Sequence, residues 1–411
     1  MPAVTKQVKF YNTFVIKGDQ TGNSNWHVEE SRIKGDFNAD SVDLGVQAHI
    51  VDKDYKNVSR ENALIYSGIY NSRTDINNTN QFSSAQDITR AVDVQYGSIQ
   101  KLYAEDTNLN IFQEERVSRA LIDKDAIYTA EGARVSIAAD RVISDIIPYG
   151  GTYGISKNPE SFAVFAGRKY FADKNKGVVL RLSRDGITEI SAYGMRSYFR
   201  SNLKKADVIH GMWDMHAKDY VISLQGGTVP DTYKTLTFDE KVNGWTSFHT
   251  YKPSGGGSLN STFYTFDSGE IYEHYSNSDQ NKYYGSSTPD ESSITLLFNQ
   301  GPSQVKNFYI VNYEGSDTWN ITNIFSDTDT AADIAAFNIS NDDLILSGFK
   351  KQDNKYYSHL INNTAAAENE IVFGSGISGI KGFFTTLKLK TDDAALKELF
   401  SVSTNYNISS Y

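Results

Sequence analysis

Glycines spaced as G-x-G-x-x-G occur once in the chain, at Gly374–Gly379, and could let a phosphate group approach the backbone. A dinucleotide site also needs a strand before the motif and a helix N-terminus directly after it. The run Glu370–Phe373 fits the strand. The run Ile380–Leu389, however, contains aromatic and Thr residues and predicts a second strand. We therefore interpret the motif as a turn. The sequence has no Walker-type Gly-Lys-Ser/Thr and no G-x-S-x-G nucleophile elbow.

The histidines show no spacing that is specific for a metal ligand set, such as H-E-x-x-H. His210 and His216 flank Trp213 and could approach each other across a strand or turn, but a structural role is the simpler interpretation. The seven histidines are His27, His49, His210, His216, His249, His274 and His359.

Acidic pairs could chelate calcium through their oxygens. These pairs are Asp52/Asp54, Asp123/Asp125, Asp327/Asp329 and Asp342/Asp343. The first lacks the central glycine and distant glutamate of an EF-hand loop, and we interpret all four as solvated turns. A glycosidase pair needs carboxylates about 5–10 Å apart in space, which spacing along the chain does not give. The sequence thus predicts no catalytic, cofactor-binding or metal-binding residues.

Composition excludes further classes of chemistry. The 411 residues include no cysteine, so the chain has no disulfide, thiolate metal site or cysteine nucleophile. The net charge of −10 argues against a general nucleic-acid binder, which would carry a basic patch or stripe. No stretch has the roughly 18 apolar residues of a membrane helix, and the start lacks the apolar core of a signal peptide. These features predict a soluble protein made in a cytoplasm, without membrane insertion.

Aromatic, Thr, Ser, Asn and Gly residues dominate the chain, a mixture that suits strands joined by polar turns. Short apolar runs that end in turn residues predict strands. They are Lys9–Ile16, Ala63–Tyr70, Ser98–Tyr103, Asn108–Gln113, Ser161–Phe165, Gly177–Leu182, Tyr220–Leu224, Thr235–Phe238, Phe263–Phe266, Ser293–Phe298, Asn307–Asn312, Leu344–Phe349, Tyr356–Ile361 and Lys381–Leu389.

Hairpin turns are predicted at Asn243-Gly244, Asp185-Gly186 and Ser268-Gly269, because glycine takes positive φ without strain. On that basis Gly244→Val should cost more than about 1 kcal/mol. The Pro/Gly/Ser-rich stretches Lys252–Leu259 and Tyr284–Ser293 predict loops or boundaries, and the simplest interpretation of Ser254–Gly257 is a mobile loop.

Helical signals are few. Ser191–Lys205 has apolar residues at helical spacing, Ala394–Phe400 could form a turn or two of helix, and Thr328–Ala336 is ambiguous. The fold class expected is therefore all-β: a propeller-like or multi-sheet β body with one or two short helices. We expect a β-rich propeller-like body over residues 1–290 and a C-terminal β region over 291–411, with one continuous domain as the alternative.

Aromatic-rich segments occur at Tyr193–Phe199, Phe263–Tyr275 and Tyr283-Tyr284. They could stack on sugars, although aromatic residues on sheets more often form cores and cross-strand pairs. They keep two alternative functions open, a receptor- or carbohydrate-binding module and a polysaccharide hydrolase.

Several long segments resemble one family. They begin with Asn62–Arg73 (NALIYSGIYNSR) and Gly97–Asp125 (GSIQKLYAEDTNLNIFQEERVSRALIDKD) and continue in the same order to the C-terminus. The later ones are Pro148–Asp173, Gly177–Phe199, Phe238–Phe266, Ser293–Gly315 and Lys397–Tyr411. Together they resemble the C-terminal part of large virion structural proteins of tailed bacteriophages: the muzzle, nozzle or stabilization proteins of crAss-like and related phages.

The resemblance implies a non-enzymatic, propeller-like subunit of a ring at the end of a short tail. Its partners would be other virion proteins of the tail, ring or portal, and identical copies in a symmetric homo-oligomer. It implies that DNA passes through the channel without specific binding, that no cofactor is used, and that the virion is assembled in the host cytoplasm. Family members are longer, and this chain starts near their middle, so we expect either a split or truncated gene or a different position in the tail, neck or baseplate.

Overall fold

The computed structural model describes residues 14–17, 26–29, 33–34, 60–68, 70–79, 82–83, 88–105, 108–128, 134–226, 233–276, 278–327, 349–360 and 379–409. Contacts divide the chain into two compact units, Met1–Ser268 and Gly269–Tyr411.

Unit 1 begins with short paired strands. β1 pairs with β2, β4 with β8 and β5 with β6, all antiparallel, whereas β3 and β7 are parallel. Their bounds are β1 Phe14–Lys17, β2 Trp26–Glu29, β3 Ile33–Lys34, β4 Ala63–Ile65, β5 Tyr70–Asn71, β6 Ile76–Asn77, β7 Phe82–Ser83 and β8 Thr89–Ala91.

Three four-stranded antiparallel sheets follow, each with its strands side by side in chain order. The first sheet contains β9 (Ile99–Glu105), β10 (Asn108–Gln113), β11 (Val117–Tyr128) and β12 (Arg134–Pro148). The second sheet contains β13 (Ala163–Phe165), β14 (Arg168–Asp173), β15 (Val178–Ser183) and β16 (Gly186–Glu189). The third sheet contains β17 (Val208–Asp214), β18 (Asp219–Gln225), β19 (Lys234–Asp239) and β20 (Gly244–His249), and β21 (Gly255–Leu259) and β22 (Thr262–Asp267) come next.

The central strands of the three sheets are buried on both faces. Successive residues of a strand point to opposite faces, so a sheet between two cores shows consecutive apolar residues rather than alternation. On β14, Tyr170 packs with residues of the third sheet, and Phe171 packs with Phe112 of the first sheet at 5.2 Å between ring centroids. On β18, Tyr220 joins the same core as Tyr170, and Val221 packs against Phe263 of β22. Consecutive sheets therefore stack face to face in chain order.

One short helix, α1 (Arg196–Asn202), lies between the second and third sheets in the chain. Two 3-10 turns flank it, at Ile190–Ala192 and Leu203–Lys205. The helix predicted at Ser191–Lys205 is therefore real but shorter than expected. The helical turn predicted at Ala394–Phe400 is wrong, because Leu399 already begins a strand; Thr328–Ala336 lies outside the described residues.

The predicted turns are present with two corrections, since Gly186 and Gly244 each begin a strand instead of lying inside the turn. Gly186 takes φ +108° after the two-residue loop Arg184-Asp185, and Ser268 and Gly269 take φ +50° and +86°. In the third turn it is Asn243, at φ +52°, that has the left-handed conformation. Gly244 is already the first residue of β20 and does not have positive φ. The reason given for a cost of Gly244→Val is therefore wrong.

The glycine-rich stretch Ser254–Gly257 is not a mobile loop, because Gly255–Leu259 form strand β21 on β22. A Cβ at Gly256 would lie 2.5 Å from the carbonyl oxygen of Tyr264 and 2.8 Å from the Met212 sulfur. Glycine is needed there for close approach of the strands. The loop predicted at Tyr284–Ser293 is present as turns and coil up to Ser292, where the next strand begins.

Unit 2 contains a three-stranded sheet in the order β24-β30-β26 and a second sheet in the order β27-β28-β25-β29, with β31 also paired to β25. Its core lies between these sheets, with Val311 and Tyr313 of β25 facing Leu387 and Leu389 of β30 in one cluster. The bounds in unit 2 are β23 Glu270–Glu273, β24 Ser292–Phe298, β25 Lys306–Gly315, β26 Asn320–Ser326, β27 Lys350–Gln352, β28 Lys355–His359, β29 Ile380–Gly382, β30 Thr385–Thr391 and β31 Leu399–Ile408.

The all-β, multi-sheet prediction is confirmed, and the propeller-like form stays a prediction. The strand expected after Gly379 is confirmed as β29 and β30, whereas Gly374–Ser378 lie outside the described residues. The two longest strands, β11 and β12, were not predicted, because charged residues such as Arg119 interrupt their apolar pattern.

Candidate functional site

A polar cleft of about 680 Å³ is lined by residues of the first and second sheets of unit 1. We call it the basic cleft. In an antiparallel meander, alternate turns lie at the same end of the sheet. The turn Ala166-Gly167 before β14 and the turn Arg184-Asp185 after β15 therefore both border the cleft, and Asn108 and Tyr149 border it from the first sheet.

Positive charge dominates the basic cleft. Five cationic side chains and two carboxylates line it. The cations are Arg119, Arg168, Lys169, Arg181 and Arg184, and the carboxylates are Glu105 and Asp185. The cleft is thus locally basic on a chain whose total charge is −10.

Hydrogen bonds connect the two sheets along one wall of the cleft. The Tyr149 hydroxyl donates to Oδ1 of Asn110 at 2.9 Å, and Nδ2 of Asn110 donates to Oε2 of Glu105 at 3.4 Å. The same Glu105 oxygen accepts from Nζ of Lys169, whose side chain is only 4% exposed. Burial raises the pKa of the Tyr149 hydroxyl, so it stays a donor at neutral pH. These hydrogen bonds hold the wall together, and the ion pair between Glu105 and Lys169 neutralises both charges.

A second carboxylate, Glu240, follows β19 and anchors two of the arginines. It accepts from the Tyr170 hydroxyl at 2.6 Å and from Nη1 of Arg181 at 2.6 Å, and Nη1 of Arg168 lies 3.3 Å away. The Glu240 side chain is 12% exposed. Burial and then the bond to Glu240 raise the pKa of Tyr170. Glu240 therefore ties the second sheet to the third through largely buried, charge-assisted bonds.

Some guanidinium groups of the cleft have N–H donors or positive charge without a partner among the described residues. The Nε atoms of Arg119 and Arg181 are buried and have no hydrogen-bond partner among the described residues. The Arg119 guanidinium lies over the Tyr149 ring at 5.9 Å. Neither Arg119 nor Arg184 forms an ion pair in the part of the chain that the structure describes. The cleft can therefore supply donors and positive charge to an anionic group.

Three aspartates lie side by side at one end of the third sheet. Asp214 of β17 is paired in register with Asp219 of β18, and Asp219 with Asp239 of β19. Burial, then Asp239 and Asp214, raise the pKa of Asp219 from 3.8 to about 6. Asp214 also accepts the backbone N–H of His216 at 2.8 Å and so stabilises the turn. Partial burial and repulsion from the two neighbouring carboxylates both disfavour the ionised form of Asp219.

The residues singled out in the sequence lie apart from the basic cleft. His210 is on β17, where burial lowers its pKa, and His216 is in the turn that follows. Asp327 accepts the backbone N–H of Phe383 at 2.6 Å. The turn predicted at Asp123/Asp125 is wrong, because both residues lie on strand β11. The other members of the predicted acidic pairs, Asp52, Asp54, Asp329, Asp342 and Asp343, lie outside the described residues. No cluster of three or more His, Asp or Glu that could hold a metal occurs among the described residues.

The aromatic segments contribute mainly to packing. Phe199 and Phe263 are buried, and Tyr193 is partly exposed and stacks on Phe238 at 6.1 Å. In unit 2, Tyr272 and Tyr284 contact each other at 4.5 Å between ring centroids. These contacts fit the interpretation of cross-strand and core pairs.

Sequence reasoning missed the basic cleft. Its residues come from Glu105 to Asp185 in short polar stretches, and none forms a known motif. The signal that could have found it is the placement of Gly167-Arg-Lys169 and Arg184-Asp-Gly186 at alternate turns of one predicted meander, which brings their charges to one end of the sheet.

Within the described part, no helix is long and apolar enough to cross a membrane.

Comparisons with known proteins cover the whole chain, and no curated protein matches the sequence. The family model of the Crassvirus muzzle protein matches residues 47–269, which is more than half of the chain, and the model of the Crassvirus muzzle protein C-terminal domain matches residues 278–363. The first match ends where unit 1 ends, and the second lies within unit 2. The chain therefore belongs to the Crassvirus muzzle protein family and is a structural protein of the phage virion.

Proposed function

We propose that this protein is one subunit of a symmetric ring at the end of a short phage tail, around the channel through which DNA passes. The observation that carries the proposal is the pair of family matches, which together run from residue 47 to residue 363 with a short gap. Its partners would be identical copies and other tail, ring or portal-associated proteins. The role is structural and non-enzymatic, and DNA passes without specific binding.

The architecture of unit 1 supports a structural role. The central strands of its three four-stranded sheets are buried on both faces, so neighbouring sheets share cores rather than loops. Buried aromatic stacks such as Tyr170 on Tyr220, at 4.9 Å, add packing between sheets. A cysteine-free chain that must persist outside the cell depends on such packing and on subunit contacts.

The charge supports the passage of DNA without retention. A channel wall with many Lys and Arg residues neutralises DNA phosphates and binds DNA with a strong salt dependence. A chain of net charge −10 can bind DNA in this way only where its cations are concentrated. The proposal therefore requires that the assembled ring does not bind duplex DNA at physiological salt. Retention of duplex DNA by the isolated ring would contradict this part.

The direct test is mass spectrometry of purified virions together with imaging of particles in which this protein carries a tag. We expect the protein in the particle at a multiple copy number that matches the tail symmetry, with the tag at the tail end. Absence from virions would refute the structural role. A tag at the neck or baseplate would refute the ring position but not the role. Binding of the free protein to host glycans would instead favour the receptor-binding alternative, and release of reducing sugar from capsule would favour a hydrolase.

A further inference from the structure

We infer that the basic cleft binds an acidic polypeptide segment, that is, a short stretch of chain rich in Asp and Glu. The inference concerns a site that the virion role does not assign, and it does not depend on the position of the protein in the particle. It starts from the balance of charges in the cleft. Lys169 is neutralised by Glu105, and Arg168 and Arg181 share Glu240.

Two cations of the cleft have no carboxylate partner. Arg119 and Arg184 form no ion pair among the described residues, although five cations are concentrated there on an acidic chain. Buried Nε–H groups of Arg119 and Arg181 also have no acceptor in the described part. An anionic group that enters the cleft can pair with the guanidinium groups of Arg119 and Arg184, which line it.

The acceptors of the cleft favour an acidic peptide over a phosphate chain. Planar guanidinium groups bind carboxylates and phosphates alike with two parallel hydrogen bonds, so the arginines alone do not distinguish these ligands. The cleft also carries acceptors of its own: the carboxylates of Glu105 and Asp185 and the carbonyl oxygen of Gly167, which already accepts from Lys169 at 3.1 Å. These groups repel a polyphosphate, which offers only acceptors, whereas a peptide can donate its backbone N–H groups to them.

The volume of about 680 Å³ is within the range of sites that enclose a small ligand. Most such sites are apolar, whereas this one is polar, so electrostatics and hydrogen bonds have to provide the binding. We therefore expect moderate affinity that falls with ionic strength.

The test is isothermal titration of the full-length protein with a synthetic hexaglutamate peptide at low and at physiological ionic strength. We expect saturable binding that weakens with salt, and none with hexalysine. The double variant Arg119→Gln/Arg184→Gln should weaken binding by about tenfold or more, as expected for lost charge-assisted hydrogen bonds. The matched control Arg200→Gln/Lys204→Gln removes the same charge from exposed positions of unit 1 and should bind as the wild type does.

Because Arg119 is partly buried, Arg184→Glu alone provides a second variant, in an exposed turn where it breaks no described ion pair. It too should weaken hexaglutamate binding. The inference is overturned if hexaglutamate does not bind, or if the control variant loses as much affinity as the cleft variants. It is also overturned if oligothymidylate or inorganic phosphate binds more tightly than hexaglutamate and depends on the same arginines. Light scattering with excess peptide then identifies the source: a second copy of this chain if the peptide lowers the oligomer mass, another protein if it does not.

Discussion

The carboxylate of Glu240 gives the sharpest test of how unit 1 is held together. Gln at this position keeps the shape and one acceptor oxygen, but its amide group replaces the second oxygen with a donor. Either the Tyr170 hydroxyl or the Arg181 guanidinium then faces a donor instead of an acceptor. Arg181, with a side chain that is 17% exposed, also loses its counter-charge.

The magnitude follows from burial. Breaking a buried ion pair by removal of one charge costs about 3–5 kcal/mol. Arg168, the third partner, is 46% exposed and can be solvated after the change, which lowers the cost. We therefore expect Glu240→Gln to reduce the free energy of unfolding by about 2–4 kcal/mol.

Urea unfolding followed by tryptophan fluorescence is a suitable measurement, because Trp213 stacks on Tyr170 at 5.3 Å. Glu189→Gln is a matched control in the same unit, since Glu189 also bonds an arginine, Arg196, at 3.2 Å, but that arginine is 58% exposed. We expect the control to lose less than about 1 kcal/mol. If Glu240→Gln costs no more than Glu189→Gln, the idea that buried charge pairing joins the second and third sheets is refuted.

Three further predictions concern pH and glycine. The pKa of Asp219 is raised to about 6 from 3.8, so its ionisation in the folded state lowers stability as the pH rises through this window. Asp219→Asn should therefore be more stable than the wild type above about pH 6 and lose this advantage below about pH 4 in urea unfolding; equal stability at both pH values would argue against it. Gly256→Ala should cost about 1–3 kcal/mol, because its Cβ meets the Tyr264 carbonyl; an unchanged unfolding midpoint would contradict the close approach of β21. Gly186→Val should reduce the free energy of unfolding by about 1 kcal/mol or more, because Gly186 has positive φ. Gly244→Val should change it by less than about 0.5 kcal/mol, because Gly244 does not have positive φ. Thermal unfolding of both variants tests this contrast, and a larger loss for Gly244→Val would refute it.

The sequence predicts individual strands well where apolar residues are local and consecutive. Asn108–Gln113 is predicted and observed with the same bounds, because Ile111 and Phe112 each have a core to enter on opposite faces of the sheet. Prediction fails for β21, since glycine normally disfavours strands, and only the close approach of the Tyr264 carbonyl and the Met212 sulfur explains why Gly256 is required.

The basic cleft is harder to predict because its contacts are distant in the chain. Lys169 and Glu105 are 64 residues apart, and Glu240 is 70 residues from Tyr170. Hydrophobic periodicity and composition do not show how one sheet is aligned with the next. These pairs therefore become evident only in the structure, where the sheets are stacked. Turn positions in a single meander are local, however, and they would have placed Lys169 and Arg184 at one end of the second sheet.

The distribution of charge changes what the net value of −10 means. Asp214, Asp219 and Asp239 occupy the end of the third sheet from which Glu240 follows, and Glu240 reaches the arginines of the second sheet. The acidic end of the third sheet and the arginines of the second sheet are thus adjacent in unit 1. Exposed charges interact over about one Debye length, roughly 8 Å at physiological salt. A ligand or a strand of DNA near this end responds to the local pattern and not to the total. The total charge therefore predicts weak retention of DNA only for surfaces of the proposed ring that do not present the basic cleft.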